Sequence, residues 1–243
     1  MNRAEHPARG PGKLERAERD RLARVYETYD LDPRYRKIWS SSPATSYMMR
    51  RKWESIAAAL RAARLDVSRA RILDLGAGGG WDCARFRELG AGDGRLVALD
   101  ILEHRSRQAR SSHPWMASIV GDAASLPFTD RSFDLVYQST MLSSVLDAKR
   151  RASILEEVRR VLGRGGIFVS YDVRYPNPWN RNTRPVRAKD LRRAFPGWTM
   201  DIRSLTGLPQ LLRLVAPISL HACRILETIA PLRSHLLALG RKP

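Results

Sequence analysis

Residues 72–82 read ILDLGAGGGWD, with the short apolar run Ile72-Leu73-Asp74-Leu75 set directly against Gly76-Ala77-Gly78-Gly79-Gly80. A short run of this kind that ends in glycine reads as a buried strand leaving its sheet through a tight turn. Trp81 to Leu89 then reads as a helix. Glycines at 76, 78 and 80 let the backbone turn sharply and approach a ligand at contact distance, where a side chain would obstruct. Such a turn serves nicotinamide and flavin cofactors as well as others. The dinucleotide fingerprint G-x-G-x-x-G, counted from Gly76, wants glycine at position 81; Trp81 stands there, and that reading loses ground.

The same rhythm continues along the chain. Leu96 to Asp100 is a second strand, a helix follows from about Glu103 to Ser111, and Ala117 to Asp122 is a third strand. Phe133 to Gln138 is a fourth. Ala148 to Leu162 reads as a helix because Ile154, Leu155, Val158, Val161 and Leu162 recur at helical spacing. Gly163, Gly165 and Gly166 stop it, and Ile167 to Val173 is a fifth strand. Strand and helix alternating five times predict an α/β fold with a doubly wound, mostly parallel sheet. Ligands of such sheets bind beyond the carboxyl ends of the strands.

Acids stand at those ends. Asp100 closes the second strand, where a carboxylate can accept from both hydroxyls of a ribose. Asp122 closes the third beside the small Ala123, placed to take the exocyclic amine of an adenine. Each acid has a plainer reading as a helix N-cap or turn residue. Their phase with the glycine turn favours a nucleotide site.

The combination ILDLGAGGG, LVALD, VGDAASLPF, FDLVYQS and ILEEVRRVLGRGGIFVSYD resembles the class I S-adenosylmethionine-dependent methyltransferases, in unbroken order over residues 50 to 173. The likeness implies a Rossmann-like seven-stranded sheet with an antiparallel last strand, and S-adenosyl-L-methionine as cofactor. It also implies that Asp74, Gly76, Ala77 and Gly78 frame the methionine moiety, Asp100 and Ile101 the ribose, and Asp122 and Ala123 the adenine. Gln138 and Ser139 would line the floor near the sulfonium. Residues 138–186 and the tail also resemble the small-molecule, methyltransferase type 11-like subgroup seen in bacterial glycan and specialised-metabolite clusters. The tail then implies two helices and a final strand.

A neutral alcohol as methyl acceptor would profit from a base. Past the fifth strand lies YDVRYPNPWNRNTRP, residues 171–185, whose aromatic and Asn residues suit an acceptor-side wall. Asp172 is the leading carboxylate there, with Tyr171 and Tyr175 beside it; the alternative for Asp172 is a structural acid paired to Arg174 or Arg184. His221 could reach the pocket from the tail, His104 reads as a solvated helix residue, and His6, His113 and His235 carry no signal. No residue pattern marks a metal site.

The flanks differ from this centre. Residues 1–64 carry 15 Lys/Arg against 8 Asp/Glu, and 174–243 carry 13 against 3, while 65–173 carry 15 against 14. The divisions expected are a disordered basic arm over 1–18, a helical lid over 19–64 and a cofactor-binding core over 65–173. Residues 174–243 would add the substrate-side loop, helices and last strand of the same domain. Tyr26, Tyr29, Tyr35, Trp39 and Tyr47 would form part of that lid or pack its helices on the sheet. Ile218, Ala222, Ile225 and Ile229 recur at helical spacing, which predicts a core-facing stripe.

The basic flanks motivate a second reading, a nucleic-acid methyltransferase, but Gln138-Ser139-Thr140-Met141 stands where base-directed amino methyltransferases carry Asn-Pro-Pro-aromatic. A binding module without turnover is a third reading. The apolar stretch 211–232 is interrupted by Arg213, His221, Arg224 and Glu227, too often to span a bilayer, and peripheral membrane contact through this tail has weak support. With no apolar leader and only Cys83 and Cys223, the expected location is the cytoplasm.

Overall fold

The computed structural model describes residues 13–33, 42–177 and 180–243. Helices α1 (Lys13–Leu31) and α2 (Pro43–Ala62) precede β1 (Ile72–Leu75), α3 (Trp81–Glu88), β2 (Leu96–Asp100), α4 (Glu103–Ser112) and β3 (Ala117–Val120). Then come β4 (Phe133–Ser139), the one-turn α5 (Met141–Ser144), α6 (Ala148–Val161), β5 (Leu162–Val173) and α7 (Ala188–Ala194). The chain closes with β6 (Thr199–Gly207), α8 (Pro209–Val215), α9 (Leu220–Thr228) and β7 (Arg233–Arg241).

The seven strands form one sheet in the order β3-β2-β1-β4-β5-β7-β6. β1 to β5 pair in parallel. β7 inserts antiparallel between β5 and β6, so it alone runs against the others. This is the doubly wound sheet that the strand and helix alternation predicts, with the antiparallel last strand that the resemblance implies.

Period-two alternation divides the sheet into two packed faces. Ile72, Ala98, Tyr137, Val169 and Tyr171 meet Ile56 and Leu60 of α2 and Cys83 and Phe86 of α3. On the other face Leu73, Leu99, Val136 and Phe168 meet Ile154, Leu155 and Val158 of α6 and Leu191 of α7. Trp53, Phe86 and Tyr137 add edge-on and tilted ring contacts at 5.1 to 5.7 Å between centroids. Contacts of this kind contribute about 0.5–1.5 kcal/mol each beyond their buried area.

β6, in which exposed Asp201 and Arg203 alternate with half-buried Ile202 and Ser204, completes the seven-stranded sheet that the resemblance implies. Two expectations from sequence need correction. α1 starts at Lys13, so residues 13–18 are helical, and Arg21 binds Glu18 one turn back; residues 1–12 lie outside the described residues. The stripe of Ile218, Ile225 and Ile229 does not face the core: these residues are 85%, 55% and 48% exposed. The buried face of α8 and α9 is instead Leu212, Ala216 and Cys223, packed on Ala44, Tyr47 and Met48 of α2. A fourfold spacing marks one face of a helix without saying whether a neighbour covers it, and α9 begins only at Leu220, beyond Ile218. Tyr35 and Trp39 of the expected lid fall outside the described residues. Among the described residues no helix is long and apolar enough to cross a membrane.

Candidate active site

A cavity of about 320 Å3 opens beyond the carboxyl ends of β1, β2 and β4. Its floor is the glycine turn. Gly76 has φ +69°, and a Cβ there would sit 2.5 Å from Met141 Cγ, so any side chain would collide with α5. Gly78 donates its N–H to Asp100 Oδ2 at 2.8 Å, while Asp100 Oδ1 accepts the Leu102 N–H at 2.9 Å. One carboxylate thereby locks the turn after β1 to the turn after β2. Each oxygen keeps a lone pair for a further donor, and Asp100 lines the cavity. Burial raises the Asp100 pKa, against the lowering by those two N–H groups.

Asp122 forms an ion pair with Arg150 of α6 at 2.7 Å and accepts the Ala124 N–H at 2.9 Å. Ala77, Ile101, Asp122, Ala123 and Ser139 line the cavity with Gly76, Gly78 and Asp100. Two candidates stand back from it. Asp74 is buried behind the turn and accepts the Cys83 thiol at 3.2 Å. Burial, then the Asp82 charge, pushes its carboxyl up to about 8. Gln138 points to the opposite sheet face, where it donates to Ser170 Oγ at 2.5 Å and accepts from the Met141 and Leu142 N–H groups at 3.1 and 3.2 Å.

Asp172 and Tyr175, the expected acceptor-side pair, do not line the cavity. Tyr171 points into it, so strand alternation turns its neighbour Asp172 to the α6 side. There Asp172 accepts from Gln138 Nε2 at 3.2 Å and from the Ser143 and Val173 N–H groups at 3.2 and 2.9 Å, which ties α5 to β5. Burial pushes its pKa up to about 6. Neither Arg174 nor Arg184 is its partner: the Arg174 guanidinium covers the Tyr175 ring at 4.5 Å, and Tyr175 is 37% exposed. His221 is exposed on α9. Of the wall proposed over 171–185, Pro178 and Trp179 lie outside the described residues. Asn180 reaches the lid, donating to the Tyr29 hydroxyl at 2.9 Å.

The sequence reading missed the polar groups opposite the glycine turn. Lys52 of α2 is almost fully buried and donates to Asp82 at 2.6 Å and to Ser139 Oγ at 2.9 Å. Asp82 also accepts the Tyr137 hydroxyl at 2.7 Å and the Trp53 indole N–H at 3.1 Å. Burial works to raise the Asp82 pKa, but the Lys52 charge and these hydrogen bonds outweigh it and hold the carboxyl below its ordinary value.

His235 of β7 lines the cavity, stacked on Tyr171 with centroids 4.7 Å apart and planes 7° from parallel. Its Nδ1 lies 2.9 Å from Thr206 Oγ1 and 2.8 Å from Ser234 Oγ. The Thr206 hydroxyl also reaches the Leu205 carbonyl, and the Ser234 hydroxyl the Gly207 carbonyl. Nδ1 thus sits between two hydroxyls that can each give or take a hydrogen bond, and Thr206 Oγ1 also meets the Tyr171 hydroxyl at 2.9 Å; the tautomer protonated at Nδ1 leaves a lone pair on Nε2. Burial, and then the Lys52 charge, lowers the imidazole pKa to about 3.

Leu22 and Tyr26 of α1 also line the cavity. Tyr26 approaches Ser144 Oγ at 3.3 Å, Arg21 donates to the Ser144 carbonyl, and the Arg105 guanidinium covers the Tyr26 ring at 4.1 Å.

Residues 73–170 match the family model described as a methyltransferase domain. An uncharacterized methyltransferase of Synechocystis is 35% identical over 109 residues, 45% of this chain and 50% of that protein. A demethylmenaquinone methyltransferase of Thermotoga maritima is 33% identical over 158 residues, 63% of this chain and 60% of that protein. The chain spans about half the length of the curated relatives it matches. A solved S-adenosylmethionine-dependent methyltransferase of Mesorhizobium loti superposes with a TM-score of 0.54 at 23% identity, over 78% of this chain and 100% of that one, and shares the fold.

Proposed function

We propose that this chain is a class I S-adenosylmethionine-dependent methyltransferase that transfers a methyl group to a hydroxyl of a small molecule, a reading supported by the methyltransferase-domain match over residues 73–170 and by the shared fold. The observation that carries the cofactor half of this reading is Asp100, which closes the glycine turn while facing the cavity with spare lone pairs. Asp100 and Ile101 would hold the ribose, Asp122 and Ala123 the adenine, and Gly76 to Gly78 the methionine moiety. S-adenosyl-L-methionine supplies a methyl group on a sulfonium, an electrophile that asks chiefly for an aligned nucleophile.

Alignment is what the far wall offers. The Nε2 lone pair of His235 would accept the hydrogen bond of an acceptor hydroxyl and point its oxygen at the reacting carbon. Tyr171 stacking and the two hydroxyls on Nδ1 hold that ring in place. As the new O–C bond forms and the methyl–sulfur bond breaks, the hydroxyl proton would pass to water, because an imidazole with its pKa lowered to about 3 orients the hydroxyl without retaining that proton. Lys52, tied to Asp82, would fix Ser139 at the end of β4.

The test is transfer of labelled methyl from S-adenosyl-L-methionine to a panel of hydroxylated small molecules. Label should appear in product with the wild type and fall sharply with His235→Asn; transfer to carbon or nitrogen acceptors alone would overturn the hydroxyl assignment.

A further inference from the structure

We propose that α8 and α9 form a docking surface for anionic phospholipid bilayers. The two short helices pack their buried faces on α2 and leave a ridge of large apolar side chains in solvent. Leu214, Ile218 and Ile225 are 70%, 85% and 55% exposed, and Leu220 and Ile229 flank them at 41% and 48%. In α8, Leu214 lies two residues from the buried Leu212, and in α9, Ile225 lies two residues from the buried Cys223. At about 100° per residue both point away from the protein. Exposed apolar groups gathered on adjacent helices mark an interaction surface, whereas isolated ones need no account.

The charges around the ridge select the occupant. Between residues 208 and 232 the cations are Arg213 and Arg224, both exposed, and the single acid is Glu227. Glu227 is buried, its charge paired to Arg51 at 3.0 Å and its other oxygen accepting the Gly207 N–H at 3.2 Å. Arg213 and Arg224 form no ion pair among the described residues. Beside the ridge, a second hollow is lined by Arg51, Arg203, Arg224 and Arg233 with Glu227; Arg51 is paired to Glu227 and Arg203 to Asp201, which leaves Arg224 and Arg233 without an ion pair among the described residues. Apolar side chains flanked by unpaired arginines, next to an arginine-lined hollow, match a bilayer edge whose headgroups carry phosphate. A second copy of the chain fits worse. A two-fold interface brings a patch onto itself, so it would face Arg213 and Arg224 with their own copies and with no acid to neutralise them.

The docking assignment stands on this surface alone and not on what the cavity does. The full chain is sedimented with vesicles of phosphatidylcholine, with and without phosphatidylglycerol. Binding should appear only with phosphatidylglycerol and weaken as salt rises. Ile218→Asp with Ile225→Asp, and separately Arg213→Gln with Arg224→Gln, should each lower partitioning by about tenfold or more. Thermal melting of each variant matching the wild type shows that folding is intact. Equal binding to both vesicles, no binding at low salt, or partitioning unchanged in both folded double variants would overturn the proposal. So would a wild-type dimer that Ile218→Asp converts to monomer, which would give the ridge to a second copy.

Discussion

His235 and Tyr171 lie ring on ring, 4.7 Å between centroids, at the junction of β5 and β7 beside the cavity. The strand that runs against the rest of the sheet thus delivers a polar group to the wall opposite the glycine turn. His235→Asn should lower turnover about 100-fold, the scale on which a misplaced nucleophile costs rate, with affinity for S-adenosylmethionine unchanged. Steady-state kinetics beside calorimetry would separate the two, and wild-type turnover in the variant would remove His235 from the reacting wall.

The same residue makes a statement about pH. With its pKa lowered to about 3, His235 stays neutral throughout the range where an ordinary imidazole titrates. Turnover should show no ionisation near pH 6.5 that belongs to this ring. A limb at that pH in the wild type, absent from His235→Asn, would contradict the orienting role.

Lys52 and Asp82 form a pair at 2.6 Å with the lysine 2% exposed. Removing one member of such a pair strands the other, so Lys52→Met should cost about 3 kcal/mol in urea denaturation. Lys52→Met combined with Asp82→Asn should recover much of that loss. A double variant as unstable as the sum of its parts would show that the two side chains act separately.

Asp74 gives stability a pH slope. Burial and Asp82 raise its folded pKa to about 8, above the ordinary value of an unfolded aspartate. The folded chain therefore holds a proton that the unfolded chain releases, a contribution present below about pH 4 and lost as pH rises towards about 8. Asp74→Asn should gain stability relative to the wild type as pH increases through that window. Urea midpoints of the two proteins that run parallel from about pH 5 to pH 8 would refute the buried, protonated state.

The parts of the fold legible in sequence were those with strong local signals. The glycine turn, five apolar strands and the stripe of α6 each announce themselves within a dozen residues. Asp172 misled because its position in the chain, at the end of β5, says nothing about which face it takes; Tyr171 beside it occupies the cavity side, and alternation sends the acid to the other. Lys52 could have been found, since it falls in register with Met48 and Ile56 on the buried stripe of α2, where a lysine needs a partner. His235 could not have been found that way. Its surroundings come from β5 and β6, more than 60 and nearly 30 residues away, and only the insertion of β7 between them brings Tyr171 and Thr206 to the ring. The exposed isoleucines of the tail carry the same lesson, because helical spacing defines a stripe and packing decides what covers it.

The central claim is that the turn after β1, held by Asp100, is a cofactor site. Calorimetric titration of S-adenosylmethionine into the wild type and into Asp100→Ala tests it most directly. The wild type should bind at a single site, and the variant should lose affinity by about 100-fold, the equivalent of two charge-assisted hydrogen bonds. No binding to the wild type, or equal affinity in the two proteins, would contradict the account.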